Sequence, residues 1–183
     1  MEQRFPEEIQ RIAIEQFTEG VTELAEKAMK QLGEIIPTVF LMQPREAEKG
    51  EKPAFNIYVI PVPFGSPNEK DKYAQLVKQC AADVGNIIAG ILMSEAWVST
   101  QKIDESDPKS FSPKMAPSED PNRREVIIVS MRSENFSRCR VIPFTKTSDT
   151  VIFGEPEQLD DLVSNFDRFF GDLFDTKVTR VLH

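Results

Sequence analysis

Val126-Ile127-Ile128-Val129-Ser130-Met131, Ser137-Arg138-Cys139-Arg140-Val141-Ile142-Pro143-Phe144 and Thr150-Val151-Ile152-Phe153 follow one another closely. Only the polar turns around Ser133-Glu134-Asn135 and Thr147-Ser148-Asp149 separate them. β-Branched and aromatic residues suit a pleated, half-buried surface, and connections this short join antiparallel neighbours. The stretch predicts a three-stranded meander. Val126 to Val129 is apolar on both faces of its strand, as are Phe55, Ile57 and Val59 against Tyr58 and Ile60. Strands of that kind need cover on both sides. Helices on both faces, or a second subunit, would supply it.

Upstream of the meander the periodicity changes. Ile9, Ile12, Ala13, Phe17, Val21, Leu24, Ala25, Ala28 and Leu32 recur at three- and four-residue steps, which predicts a long first helix. Gly20 within it suggests a kink or a close contact, and Gly33 with Pro37 supplies the stop. Thr38–Met42 and Phe55–Ile60 then read as strands, and the charged stretch between them suggests a hairpin. Asn68 is the expected cap of a second helix, whose apolar face would hold Tyr73, Leu76, Val77, Cys80, Ala81, Val84, Ile87, Ile88, Ile91 and Leu92. Alternation from Ser94 to Lys102 predicts another strand, and a long proline-rich loop runs over 103–124. Pro156 opens a last helix carrying Leu159, Leu162, Val163, Phe166, Phe169, Phe170 and Leu173.

The element order is α-β-β-α-β-β-β-β-α. The fold class it predicts is α+β, a mainly antiparallel sheet of five or six strands with helices packed on it. Residues 1–183 fit a single domain, with 1–35 as a candidate helical arm.

Composition narrows the function classes. The apolar fraction is 40% and the charged fraction 28%, so a core without metal or disulfide is expected. Cys80 and Cys139 each sit in an apolar segment and read as free thiols of a reducing compartment. Met1 to Glu8 has no apolar leader region, and Val84 to Val98 is interrupted by Asn86, Ser94 and Glu95. A cytoplasmic location without membrane contact is the expectation. A net charge of −8 starts from the wrong sign for holding phosphates, which argues against a nucleic-acid partner.

Catalytic constellations are mostly removed by what is missing. The one histidine is His183, so Ser-His-Asp, Cys-His and histidine–zinc arrangements lack their central residue. No phosphate-cradling glycine loop is present. No cofactor and no metal follow from the motifs, and no catalytic residue is assigned.

Carboxylates remain, and two settings stand out. Glu95 precedes Ala96-Trp97 in an apolar context, where a carboxyl can titrate high and act as acid or base, or pair with Arg123 or Arg124. Glu119, Asp120, Arg123 and Arg124 share a stiff, turn-forming loop, Pro117-Ser118-Glu119-Asp120-Pro121-Asn122-Arg123-Arg124-Glu125. If Arg124 begins a strand, it and Arg123 point to opposite faces. An internal ion-pair network and a binding site are both open for that loop. In the last helix, Phe166, Phe169, Phe170 and Phe174 are either core or an interface.

Glu95-Ala96-Trp97 followed by the 117–125 loop resembles an uncharacterised family of small proteins of bacteria and their phages. The resemblance implies a microbial or phage setting and that the two stretches meet in space. It implies no activity, cofactor or catalytic residue. The function expected is a non-enzymatic binding or assembly module, homo-oligomeric or bound to another protein. The alternative is a divalent-metal hydrolase with Glu95, Glu119 and Asp120 as ligands.

Overall fold

The computed structural model describes residues 6–45, 52–99, 119–159 and 167–174. Its elements are α1 (Glu7–Leu32), β1 (Thr38–Arg45), β2 (Ala54–Pro61), α2 (Pro67–Val84) and β3 (Ala89–Val98). β4 (Arg124–Ser133), β5 (Ser137–Lys146), β6 (Val151–Phe153), β7 (Glu157–Leu159) and α3 (Asp167–Phe174) follow. One antiparallel sheet has the order β2-β1-β3-β4-β5-β6, and β7 shares the outer side of β5 with β6. The α+β class and the meander are as the sequence predicts.

Local chemistry accounts for most boundaries. Gly33 takes a left-handed conformation (φ 74°) and donates its N–H to Met29 O at 3.0 Å, which ends α1. The hairpin β1–β2 runs in register from Thr38↔Pro61 to Arg45↔Ala54. α2 then carries the chain over β1, so that β3 lands on the far side of β1 from β2.

Three expected element boundaries need correction. The cap of α2 is Ser66, not Asn68: its Oγ accepts the Glu69 N–H, while Glu69 Oε2 accepts the Gly65 N–H at 2.7 Å. Ser66-Pro67-Asn68-Glu69 carries the Ser-x-x-Glu spacing of a capping box. Next, α2 stops at Val84 rather than running to Leu92. Gly85 (φ 69°) and Asn86 (φ 48°) break it, and Ala89–Met93 is strand, buried on both faces. A two-sided buried strand and a buried helix leave the same continuous apolar run. Last, Glu157–Leu159 pairs with Val141–Cys139 as β7 instead of opening the last helix.

The arc of α1 that is buried also differs from the predicted stripe. Ile14, Val21, Ala25 and Met29 are inside, whereas Ile9, Ile12, Leu24 and Leu32 are exposed. Nothing approaches the Cβ position of Gly20, so no close contact exists there.

Each face of the sheet has its own core. α1 covers Phe40, Met42, Ile91, Met93, Ile127, Val129, Met131, Ile142 and Phe144. On the other face α2 and α3 cover Val39, Leu41 and Leu92 through Val77, Ala81, Phe169, Phe170 and Phe174. Further along that face Val126, Ile128, Cys139 and Val141 pack with Ala96, Val98 and Leu159. The chain thus buries both faces of β4 itself, and β4 requires no second subunit. Phe169, Phe170 and Phe174 are buried core residues, not an interface, while Phe166 lies outside the described residues. Both thiols are free: Cys139 is buried, and Cys80 is half-buried on α2. Among the described residues no helix is long and apolar enough to cross a membrane.

Candidate functional site at the β3–β4 corner

The pleat of β3 decides what its end presents. Ile91 and Met93 point into the α1 core, so Glu95 and Trp97 fall on that same face beyond it. The β3–β4 register sets Glu95 opposite Ile127, Trp97 opposite Glu125 and Val98 opposite Arg124. Because β3 begins at Ala89, Glu95 lies near its end and beside the start of β4.

Glu95 is a fastener. Its Oε1 accepts the Ile35 N–H at 2.6 Å and its Oε2 lies 3.6 Å from Lys146 Nζ. The donor belongs to the link between α1 and β1, just past the Gly33 cap, so the carboxylate ties that link to β3. This corrects the expected arginine partner. Lys146 and Ile35 carry no local motif that would have announced them.

Asp120 organises the chain entering β4. It is buried, its Oδ1 accepts the Asn122 N–H at 2.8 Å, and its Oδ2 accepts the Ser99 hydroxyl. Its backbone carbonyl accepts the Arg123 N–H at 3.1 Å, closing a turn over Asp120-Pro121-Asn122-Arg123. The Ser99 hydrogen bond first, and the Asn122 amide second, hold the Asp120 carboxyl below the usual carboxylate range. Such a depressed value stabilises the fold fully above the unfolded pKa, near ~3.9. The contribution is lost as pH falls through the folded value. Asp120→Asn should therefore melt below wild type at pH 7, and the gap should close as pH falls through 4. A gap that stays constant down to pH 3 would show that the carboxylate charge contributes nothing to this turn.

The two arginines diverge as the pleat requires. Arg123 lies over the Trp97 ring, 5.2 Å from its centroid. Arg124 pairs with Glu157 on β7 at 3.0 Å, with both side chains nearly half-exposed. Glu119 and Glu125 are exposed. Trp97 itself is 47% exposed. The other basic pair is also engaged: Arg138 reaches Glu15 at 3.1 Å and Arg140 reaches Glu19 at 2.5 Å, fastening β5 to α1.

Of the residues singled out from sequence, Trp97, Asp120 and Arg123 come together here, joined by Ser99, which the alternation from Ser94 to Lys102 sets on the face of Glu95 and Trp97 without marking it as a site residue. Glu95 sits beside them but engages α1–β1. Glu95, Glu119 and Asp120 do not converge: among the described residues no three acidic, cysteine or histidine side chains are grouped to hold a metal. Pro117 and Ser118, with the preceding loop from residue 100, lie outside the described residues. No protein-family model matches the chain, and no curated protein or solved structure matches it.

Proposed function

We propose that this chain is a non-enzymatic binding module that meets a protein partner through the β3–β4 corner. The observation that supports it is the guanidinium of Arg123 lying over the half-exposed ring of Trp97. Tryptophan and arginine are the side chains most enriched where binding energy concentrates, because each combines a large flat area with a polar edge. The Asp120 turn and the Ser99 hydroxyl hold the pair in place before any partner arrives, which lowers the ordering entropy of association. Of the carboxylates that a hydrolase would need, Glu95 is engaged with Ile35 and Lys146 and Asp120 with Ser99 and Asn122, and Glu119 does not converge with them. The microbial or phage setting implied by the family resemblance belongs to the same proposal.

The test compares wild type, Trp97→Ala and Arg123→Ala as baits in extract of the native host, with quantitative mass spectrometry of what co-elutes. Because Trp97 is exposed, the variant should melt close to wild type. The expected result is a protein retained by wild type and reduced at least tenfold by either substitution. Identical retention by all three baits would overturn the proposal. So would a divalent-metal-dependent hydrolysis that Asp120→Ala abolishes.

A further inference from the structure

The two edges of the sheet are built differently. On the β5 side, the outer edge is divided between β6 and β7, three residues each, with Pro143 and Gly154 where β6 leaves. Short, interrupted edges resist further pairing. On the other side, β2 is eight residues long: Ala54-Phe55-Asn56-Ile57-Tyr58-Val59-Ile60-Pro61. It holds no charge, and its first proline is its last residue. The devices that normally blunt an edge, a lysine, an inward charge or an interior proline, are missing from it.

The hydrogen-bond phase of the hairpin tells which groups face outward. Val62 donates its N–H to the directly opposed Pro37 carbonyl at 2.7 Å. By antiparallel alternation, Ile60, Tyr58 and Asn56 then bond to β1, and the N–H and C=O of Ile57 and Val59 point away from the sheet. Among the described residues these groups have no partner. Side chains on the strand are apolar on both faces and incompletely covered. Val59 is 57% exposed, whereas Phe40, its neighbour on β1 and the same face, is buried. α1 is drawn toward β5 by Glu15–Arg138 and Glu19–Arg140, away from this edge.

We infer that two copies of this chain pair antiparallel through β2 across a two-fold axis, joining their sheets edge to edge. A second copy fits because each chain carries −8, so like-charged copies must meet on an uncharged strip, and β2 is one. With the axis at Tyr58, Ile57 faces Val59 of the other copy and each such pair exchanges both hydrogen bonds. Pro61 faces Phe55 of the other copy at the end of the ladder, so its missing N–H costs one hydrogen bond at each end and leaves the central pairs intact. Eight residues at ~3.3 Å each, with a side-chain layer on both faces, bury on the order of 500 Å² per copy. The total of roughly 1,000 Å² is the lower end for a specific interface, in the size class of weak, transient complexes, so dissociation on the order of micromolar is expected. This inference is independent of the β3–β4 corner.

Sedimentation velocity of the full chain from ~1 to ~100 µM, where a micromolar complex crosses from monomer to dimer, tests it. Wild type should move from 20.8 kDa to twice that mass, and backbone amide exchange at Ile57 and Val59 should slow by about four- to sevenfold over the same range, as the monomer fraction falls. Val59→Lys, which sets two charges beside the axis, should stay monomeric, and Val59→Thr should still dimerise. A single 20.8 kDa species at the highest concentration would overturn the inference and leave the edge to an extended segment of another protein. A dimer in which Val59→Lys changes nothing, or in which exchange at Ile57 and Val59 is unaffected, would overturn it as well. The exchange measurement uses wild type alone, so a failure of Val59→Lys to fold does not block the decision.

Discussion

Phe170→Ala should lower stability by about 3–5 kcal/mol, the range for emptying a buried aromatic site. The ring is 1% exposed and lies on the sheet over Gly90. A methyl group at position 90 would stand 2.5 Å from Phe170 Cε1 and 2.7 Å from Cδ1, inside contact distance. The missing Cβ of Gly90 is therefore the recess that the ring fills. Phe169 against Phe64 (5.9 Å) and Phe170 against Phe174 (6.4 Å) extend the same packing along α3. For a chain of this size each kcal/mol is worth ~2–4 °C, so a fall in melting temperature of about 6–20 °C is expected. Gly90→Ala should cost ~1–3 kcal/mol by overpacking, and Phe170→Leu should recover part of that loss in the double variant. A loss under ~1 kcal/mol for Phe170→Ala would mean that α3 contributes little to the cooperative fold.

Glu95→Ala is the second large effect expected, at about 1–3 kcal/mol, because it removes a charged acceptor and leaves the Ile35 N–H unsatisfied. Glu95→Gln keeps a carbonyl oxygen for that N–H and should cost less. Arg123 and Arg124 hold other partners, Trp97 and Glu157, so either arginine→Ala combined with Glu95→Ala should be additive within ~0.5 kcal/mol. Lys146→Ala shares Glu95 and should couple to it, by no more than ~1 kcal/mol for a pair this exposed. Coupling above that between Glu95 and Arg123 in chemical denaturation would show that the arginine holds the carboxylate after all.

The parts of this protein that were legible in its residues are those that local chemistry specifies. Gly33 before Pro37 ends α1 whatever lies around it, because a left-handed position favours glycine. The polar turns at 133–135 and 147–149 are too short for anything but antiparallel neighbours, so β4, β5 and β6 follow from sequence. The meeting of Trp97 with the Asp120–Arg123 turn is implied by the resemblance alone. A strand starting at Ser94 would set the two starts at opposite ends, and it is the start of β3 at Ala89 that brings Trp97 opposite Glu125.

Other features depend on what sits across the core. Ile87 to Leu92 is equally apolar as helix or as strand, and placement of β3 between β1 and β4 selects the strand. Ile14 and Met29 are buried while Ile12 and Leu24 are exposed, because the arc of α1 that is covered is the one lying on the apolar face of the sheet. Glu95 finds Ile35 sixty residues away, a partner that no pattern along the chain specifies. Periodicity states that a face is apolar or that a turn is tight, and these are properties of a few neighbouring residues. Which faces meet, and which carboxylate reaches which donor, are set by strand order and helix placement, and those exist only once the sheet has formed.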